Sequence, residues 1–278
     1  MIRCGRISYT NDLPVYAAFD AGAVSFPGEL TSGVPTALNR QLLAGDLDCS
    51  PVSSFFYAQH APEFLLLPGI CIGSRREVRS IYCISARPPS SLAGVPIAVT
   101  RESATGRALF ATICATFYGF APEFVEADDP FAAYAADGSP CVVIGDKAID
   151  AYLAAPSPHT IDLGELWRDL TGHEMVYAVW AARRDAVSRD PISLQAAHEA
   201  LTLSLDWGER NTDAVQRRAH AQIERPPGFY AAYFEALNFR FDPPAQAGLS
   251  AFFEAARAAG LLATAPRLEF AGEVPSRV

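Results

Sequence analysis

Ile2-Arg3-Cys4-Gly5-Arg6-Ile7-Ser8-Tyr9 is a short apolar run, and Thr10-Asn11-Asp12-Leu13-Pro14 follows it directly. The first part reads as a buried strand and the second as a polar turn that opens a helix at Pro14. A strand that empties into a polar turn before a helix is the building unit of an open α/β sheet. Such sheets bind ligands at the carboxyl edge, where those turns lie. The unit recurs along the chain. Asp48 to Val52 leads into Ser53-Ser54 and a helical stretch from Phe55 to His60. Val95 to Thr100 leads into Ser103-Ala104-Thr105-Gly106 and a helical pattern that runs to Tyr118. Cys141 to Ile144 leads into Gly145-Asp146 and a helix over Lys147 to Leu153. Ser80 to Ser85 and Val176 to Ala181 add two more runs. These runs are continuously apolar, as expected of strands covered on both faces. Between them, Val34 to Ala44 carries Leu38, Leu42 and Leu43 at helical spacing and stops at Gly45.

From Ile192 onward the pattern is almost wholly helical, punctuated by Arg225-Pro226-Pro227-Gly228 and Asp242-Pro243-Pro244. Strands alternating with helices, then a run of helices, predict an α/β lobe with a second lobe inserted in it. The Pro-rich turn at Arg87-Pro88-Pro89 and the Thr171-Gly172-His173 segment are the expected crossings. They divide the chain into residues 1–86 plus 174–278 and an inserted lobe over 87–173.

A chain of 278 residues with 50% hydrophobic and 19% charged side chains builds a sizeable core without staples. Its net charge of -9 argues against a nucleic-acid partner, which needs a surplus of Lys and Arg on one face. No window approaches the roughly 20 apolar residues of a membrane span. The first six residues lack the pattern of a secretory signal. The six cysteines are scattered among apolar neighbours without a C-x-x-C pair. Reduced, inert thiols and a cytoplasmic location are expected. The five histidines have no metal-ligand spacing, and no glycine-rich nucleotide motif occurs. The expectation is chemistry without metal or cofactor.

What remains is a set of small polar residues at strand ends. Asn11 offers donor and acceptor without charge, with Tyr9 beside it, but Asn11 and Asp12 equally serve as an ordinary turn. Ser53 and Ser54 in one lobe, and Ser103, Ala104 and Thr105 in the other, place hydroxyls and free amides where a carboxylate could sit. Plain N-capping accounts for both just as well. Gly145 and Asp146 end another strand, where Asp146 either faces ligand or caps the helix after it. Ser80 opens a strand, a position usually filled by a satisfied core hydroxyl.

Taken in order, these pieces form a pattern. It consists of Gly5-Arg6-Ile7-Ser8-Tyr9-Thr10-Asn11-Asp12-Leu13-Pro14, Pro35-x-x-Leu38-Asn39-x-x-Leu42, Gly45-Asp46-Leu47-Asp48-Cys49-Ser50-Pro51-Val52-Ser53-Ser54 and Val78-x-Ser80. Ser103-Ala104-Thr105, Ile144-Gly145-Asp146, Asp162-Leu163-Gly164-x-x-Trp167 and Tyr177-Ala178-Val179-Trp180 follow. The set, which spans residues 2 to about 260, resembles the chorismate dehydratase family of the futalosine route to menaquinone. The resemblance implies the two-lobed fold of type II periplasmic binding proteins, each lobe a mixed sheet flanked by helices. It also implies removal of water from chorismate to give 3-[(1-carboxyvinyl)oxy]benzoate, with Asn11 and Ser80 matching ligand-contacting positions. Thr10, Asp12 and Cys49 depart from the usual family form.

On that resemblance the partner is a small dicarboxylate, held by Ser103 and Thr105 on one side and by Ser53 and Ser54 on the other. The substrate's own enolpyruvyl carboxylate would take the C3 proton, with Asn11 and Ser80 orienting it. Two alternatives stand beside this reading. One is the sister enzyme that makes 1,4-dihydroxy-6-naphthoate, whose start and catalytic His this sequence does not match. The other is a solute-binding or sensing protein for a small anion.

Overall fold

The computed structural model describes residues 1–101, 104–154 and 157–272. Among the described residues the eleven strands are β1 (Ile2–Ile7), β2 (Gly28–Gly33), β3 (Cys49–Ser53), β4 (Phe64–Ser74), β5 (Ile81–Ser85), β6 (Pro96–Val99), β7 (Glu123–Glu126), β8 (Cys141–Ile144), β9 (His159–Asp162), β10 (Met175–Arg183) and β11 (Leu237–Asn238). They form a six-stranded sheet in the order β11-β4-β10-β3-β1-β2 and a five-stranded sheet in the order β7-β6-β8-β5-β9. Both are mixed. In the first, β1 pairs in parallel with β2 and β3 while β10 runs antiparallel to β3. In the second, β6 is parallel to β7 and β8 while β5 is antiparallel to β8 and β9.

The chain divides into two compact units. Unit 1 comprises Met1–Ile72, Ala178–Asp242 and Arg267–Val278, and unit 2 comprises Gly73–Tyr177 and Pro243–Pro266. The crossings therefore differ from the expected 86/87 and 173/174, and the Pro243–Pro266 segment joins the inserted unit. The reasons are local. Residues 74 to 79 bond to Tyr177 and Asp162 within unit 2. Helix Pro243–Ala258 sets Phe252 edge-on to the fully buried Trp167, with ring centroids 6.0 Å apart.

Within unit 1, helix Leu13–Asp20 fixes the turn after β1. Tyr16, fully buried, donates its hydroxyl to the Gly5 carbonyl at 3.0 Å and accepts from the Trp180 indole at 3.2 Å. Helix Pro191–Arg210 closes on the same helix. The Ala18 amide donates to Ser204 Oγ at 3.2 Å, and a Cβ on Gly208 would stand 2.3 Å from the Pro14 carbonyl oxygen. Only glycine permits that approach. Helix Pro35–Ala44 ends where expected, at Gly45 with φ +83° in the left-handed region. A Cβ there would meet nothing closer than 3.6 Å, so the strain of a substitution lies in the backbone alone. Gly45→Ala is expected to lower stability by about 1 kcal/mol, read as a fall of a few degrees in Tm with activity intact.

Candidate functional site

In unit 1 the parallel strands β1, β2 and β3 end at one sheet edge, and each opens a helix there. β1 turns through the 3₁₀ segment Thr10–Asp12 into helix Leu13–Asp20, β2 leads to helix Pro35–Ala44, and β3 to helix Ser54–His60. Tyr9, Asn11, Ser53 and Ser54 all lie at this edge. Tyr9 is half-buried in extended conformation ahead of the turn. Asn11 is half-buried, and its Oδ1 is buried with no hydrogen-bond partner among the described residues. Asn39, one turn into helix Pro35–Ala44, has a buried and unpartnered Oδ1 as well. Ser53 Oγ accepts from the Phe56 amide at 3.2 Å, so it does cap its helix. Ser54 is fully buried as the first residue of that helix.

Asp12 anchors the turn that carries Asn11. Its Oδ2 accepts from the Ile7 amide at 3.0 Å, whereas Oδ1 is buried without a partner. Burial pushes the carboxyl up to about 8, against the opposing pull of Arg6 and of the Ile7 amide. Asp12 is therefore mostly protonated at pH 7, and it adds little negative charge beside Asn11. Arg6 is engaged elsewhere, in a two-pronged pair with Asp20 at 2.7 Å and over the Tyr16 ring at 4.8 Å.

In unit 2 the equivalent edge gathers the ends of β6 and β8 and the start of the antiparallel β5. Ser80, 3% exposed, lies just before β5, and its hydroxyl donates to the Val78 carbonyl at 3.3 Å. Gly145 stands beside it and donates its amide to the Ser80 carbonyl at 2.8 Å. That bond commits the Gly145 amide to supporting Ser80. Helix Gly145–Ala154 starts at Gly145, two residues earlier than expected. Asp146 thus lies inside the first turn, half-buried, instead of capping a helix that starts at Lys147. Ala104 and Thr105 open helix Ala104–Ile113, and the Thr105 hydroxyl donates to the Tyr177 carbonyl at 3.3 Å. Ser103 lies outside the described residues. The expected helix to Tyr118 ends as a π-helical segment over Cys114–Tyr118, stopped by left-handed Gly119.

Two polar groups of this edge were not singled out from the sequence. Thr100, at the end of β6, has a buried Oγ1 with no partner among the described residues. Its place at the end of a strand was the available signal. Asp162, 7% exposed, accepts from four backbone amides, those of Val78, Arg79, Gly164 and Glu165, at 2.7 to 3.1 Å. Burial raises its pKa, and the four amides oppose that rise. Its cap of helix Leu163–Thr171 is a local contact, whereas its reach back to Val78 spans 84 positions of the chain. Among the described residues, no group of three or more His, Cys, Asp or Glu side chains is placed to hold a metal ion. No helix among them is long and apolar enough to cross a membrane.

Each unit thus presents, at one sheet edge, uncharged donors and acceptors beside helix N-termini. A family model described as menaquinone biosynthesis matches residues 2–258. The chain belongs to the menaquinone biosynthesis family. A curated protein from Thermus thermophilus, named chorismate dehydratase, is 32% identical over 239 residues, covering 80% of this chain and 84% of that protein. Solved structures of low identity share the fold of this family member. A structural-genomics protein from Archaeoglobus fulgidus has TM-score 0.70 at 19% identity, covering 94% of this chain and 98% of that one. The alkanesulfonate-binding protein SsuA from Xanthomonas axonopodis pv. citri, bound to MOPS, has TM-score 0.64 at 15% identity, with 97% and 96% covered. The aliphatic sulphonate binding protein of Escherichia coli has TM-score 0.68 at 13% identity, with 100% and 94% covered. The family member therefore has the periplasmic-binding-protein-like fold, an α/β architecture built on two mixed sheets. Fold of this kind leaves function to the site.

Proposed function

We propose that this chain is a chorismate dehydratase, a hydro-lyase that converts chorismate to 3-[(1-carboxyvinyl)oxy]benzoate in menaquinone biosynthesis. Family membership supports the reaction, and the buried amide oxygen of Asn11 carries the residue assignment. A buried acceptor without a donor is costly unless a ligand completes it. Chorismate has a single alcohol, at C4, and that O–H is the donor Asn11 lacks.

The reaction needs little driving force from the protein, because the product ring is aromatic. The proton at C3 passes to the substrate's own enolpyruvyl carboxylate, and the electron pair it leaves is delocalised toward the ring carboxylate. The C4–O bond then breaks, the departing hydroxide takes up that proton, and one water is released. Asn11 orients the C4 hydroxyl. Ser80 turns its hydroxyl from the Val78 carbonyl to donate to a carboxylate, and Ser53 and Ser54 donate to a carboxylate at the unit 1 edge. Fixed donors aimed at developing charge are commonly the largest contribution to such a rate. Holding the internal base against its proton supplies much of the remainder. Tyr9, Ala104, Thr105 and Asp146 line the same edges, with Thr105 and Gly145 already bonded within the protein. A cytoplasmic location fits this reading, supported by six free cysteines that are all buried.

The test is product identity. Protein incubated with chorismate should yield an aromatic compound lighter than chorismate by one water, seen by ultraviolet absorbance and mass spectrometry. A product of unchanged mass would mean rearrangement instead of dehydration and would overturn the proposal.

A further inference from the structure

We propose that Asp162 is the positioning residue for Ser80, acting through the backbone of Arg79. The inference rests on the reading of Ser80 as a substrate contact. Arg79 has φ +58°, and among the described residues it is the one non-glycine with positive φ. A side chain with a Cβ disfavours this conformation and holds it only when its surroundings enforce it. Here the enforcing group is visible. Asp162 Oδ2 accepts from the Arg79 amide at 2.7 Å, and both its oxygens accept from Val78 N at 3.1 Å. Asp162 Oδ1 also takes the Gly164 and Glu165 amides at 2.9 and 3.1 Å, which ties the clasp to the start of helix Leu163–Thr171. The Arg79 side chain takes no part, since its guanidinium pairs with Glu77 at 3.0 Å and is 40% exposed.

The next residue after this turn is Ser80. Its carbonyl is held from the other side by Gly145 N, and its hydroxyl rests against the Val78 carbonyl. The direction of the Ser80 hydroxyl is therefore set by the Arg79 torsion, and the torsion by Asp162. Unlike the aspartate, an asparagine at 162 offers one oxygen and turns an N–H₂ toward the amides. The left-handed turn is then released.

The experiment compares kcat and KM for chorismate in Ser80→Ala, Asp162→Asn, the double variant, Arg79→Gly and Asp162→Asn with Arg79→Gly. Asp162→Asn is expected to lower kcat about 10- to 100-fold with little change in KM. In the Ser80→Ala background it should lower kcat by less than about twofold further, because both changes act on one hydroxyl. Glycine occupies positive φ without strain, so Arg79→Gly alone should stay near wild type and should restore most of the turnover lost in Asp162→Asn. Independent losses in the double variant, or no rescue by Arg79→Gly, would overturn the clasp while leaving the role of Ser80 intact. Wild-type turnover in Ser80→Ala would instead remove Ser80 from the reaction and take the clasp with it. If Asp162→Asn does not fold by circular dichroism, Arg79→Val strains the same turn with Asp162 in place. That variant should reproduce the loss of kcat, and undiminished turnover would refute the proposal.

Discussion

Asn11→Ala is expected to reduce kcat for chorismate roughly 100- to 1000-fold, about the loss seen when one aimed polar contact is removed from a reacting oxygen. The substitution leaves the fold alone for a structural reason. The turn is held by Asp12 through the Ile7 amide and by Tyr16 bonded to Gly5 and Trp180, and none of these bonds uses the Asn11 side chain. Its Oδ1 has no partner among the described residues, so alanine breaks no internal bond through that atom. Stability should therefore hold or rise slightly, since a buried unsatisfied group is removed. Binding of the product should weaken far less than turnover falls, because the dicarboxylate contacts lie on other residues. Steady-state kinetics with a melting curve separates these effects. Equal losses in kcat and in thermal stability would mean that Asn11 merely builds the turn.

Asp12→Asn is expected to remove a large pH dependence of stability. The sign follows from burial. The folded carboxyl keeps its proton up to about pH 8, whereas the unfolded one releases it near pH 4. Between those values the native state binds the additional proton, so stability falls as pH rises through the window and levels off above it. The slope approaches about 1.4 kcal/mol per pH unit at most. From pH 5 to 7, wild type should then lose roughly 5 °C or more of Tm relative to Asp12→Asn. Asparagine keeps an acceptor for the Ile7 amide and carries no charge at any pH. The nearby Arg6, Tyr16 and Cys4 all have raised pKa values and do not titrate between pH 5 and 7, so they add nothing to the slope in that window. Parallel Tm curves for the two proteins would show that Asp12 is ionised throughout. The neutral carboxyl also explains how an aspartate is tolerated next to a residue assigned to a dianionic substrate.

Much of this arrangement could be read from the sequence, for identifiable reasons. The central strands are covered on both faces, so they appear as uninterrupted apolar runs. Ile81–Ser85 is buried at every position, and Met175–Arg183 is buried up to Ala182. The turn at Asn11 stood out because β1 stops at polar residues just before Pro14. The edge strands Gly28–Gly33 and Glu123–Glu126 gave no such signal, because one face or more is exposed and their residues are polar or mixed. Phe64–Ser74 was obscured by Pro68-Gly69, which reads as a break although the strand continues through it. Site chemistry was harder to read where it depends on distant partners. Nothing near Asp162 in the chain reveals that it grips Val78, 84 positions away, and nothing near Gly145 reveals that Ser80 takes its amide. Asp12 looked like an ordinary turn residue, and only its burial shows why its proton is retained.

Counting product molecules per protein molecule tests the central claim most directly. With chorismate in large excess, the account predicts many equivalents of 3-[(1-carboxyvinyl)oxy]benzoate per chain, formed at a rate that Asn11→Ala nearly abolishes. Uptake of a single equivalent, with chorismate recovered unchanged, is the behaviour of a solute-binding protein and would contradict it.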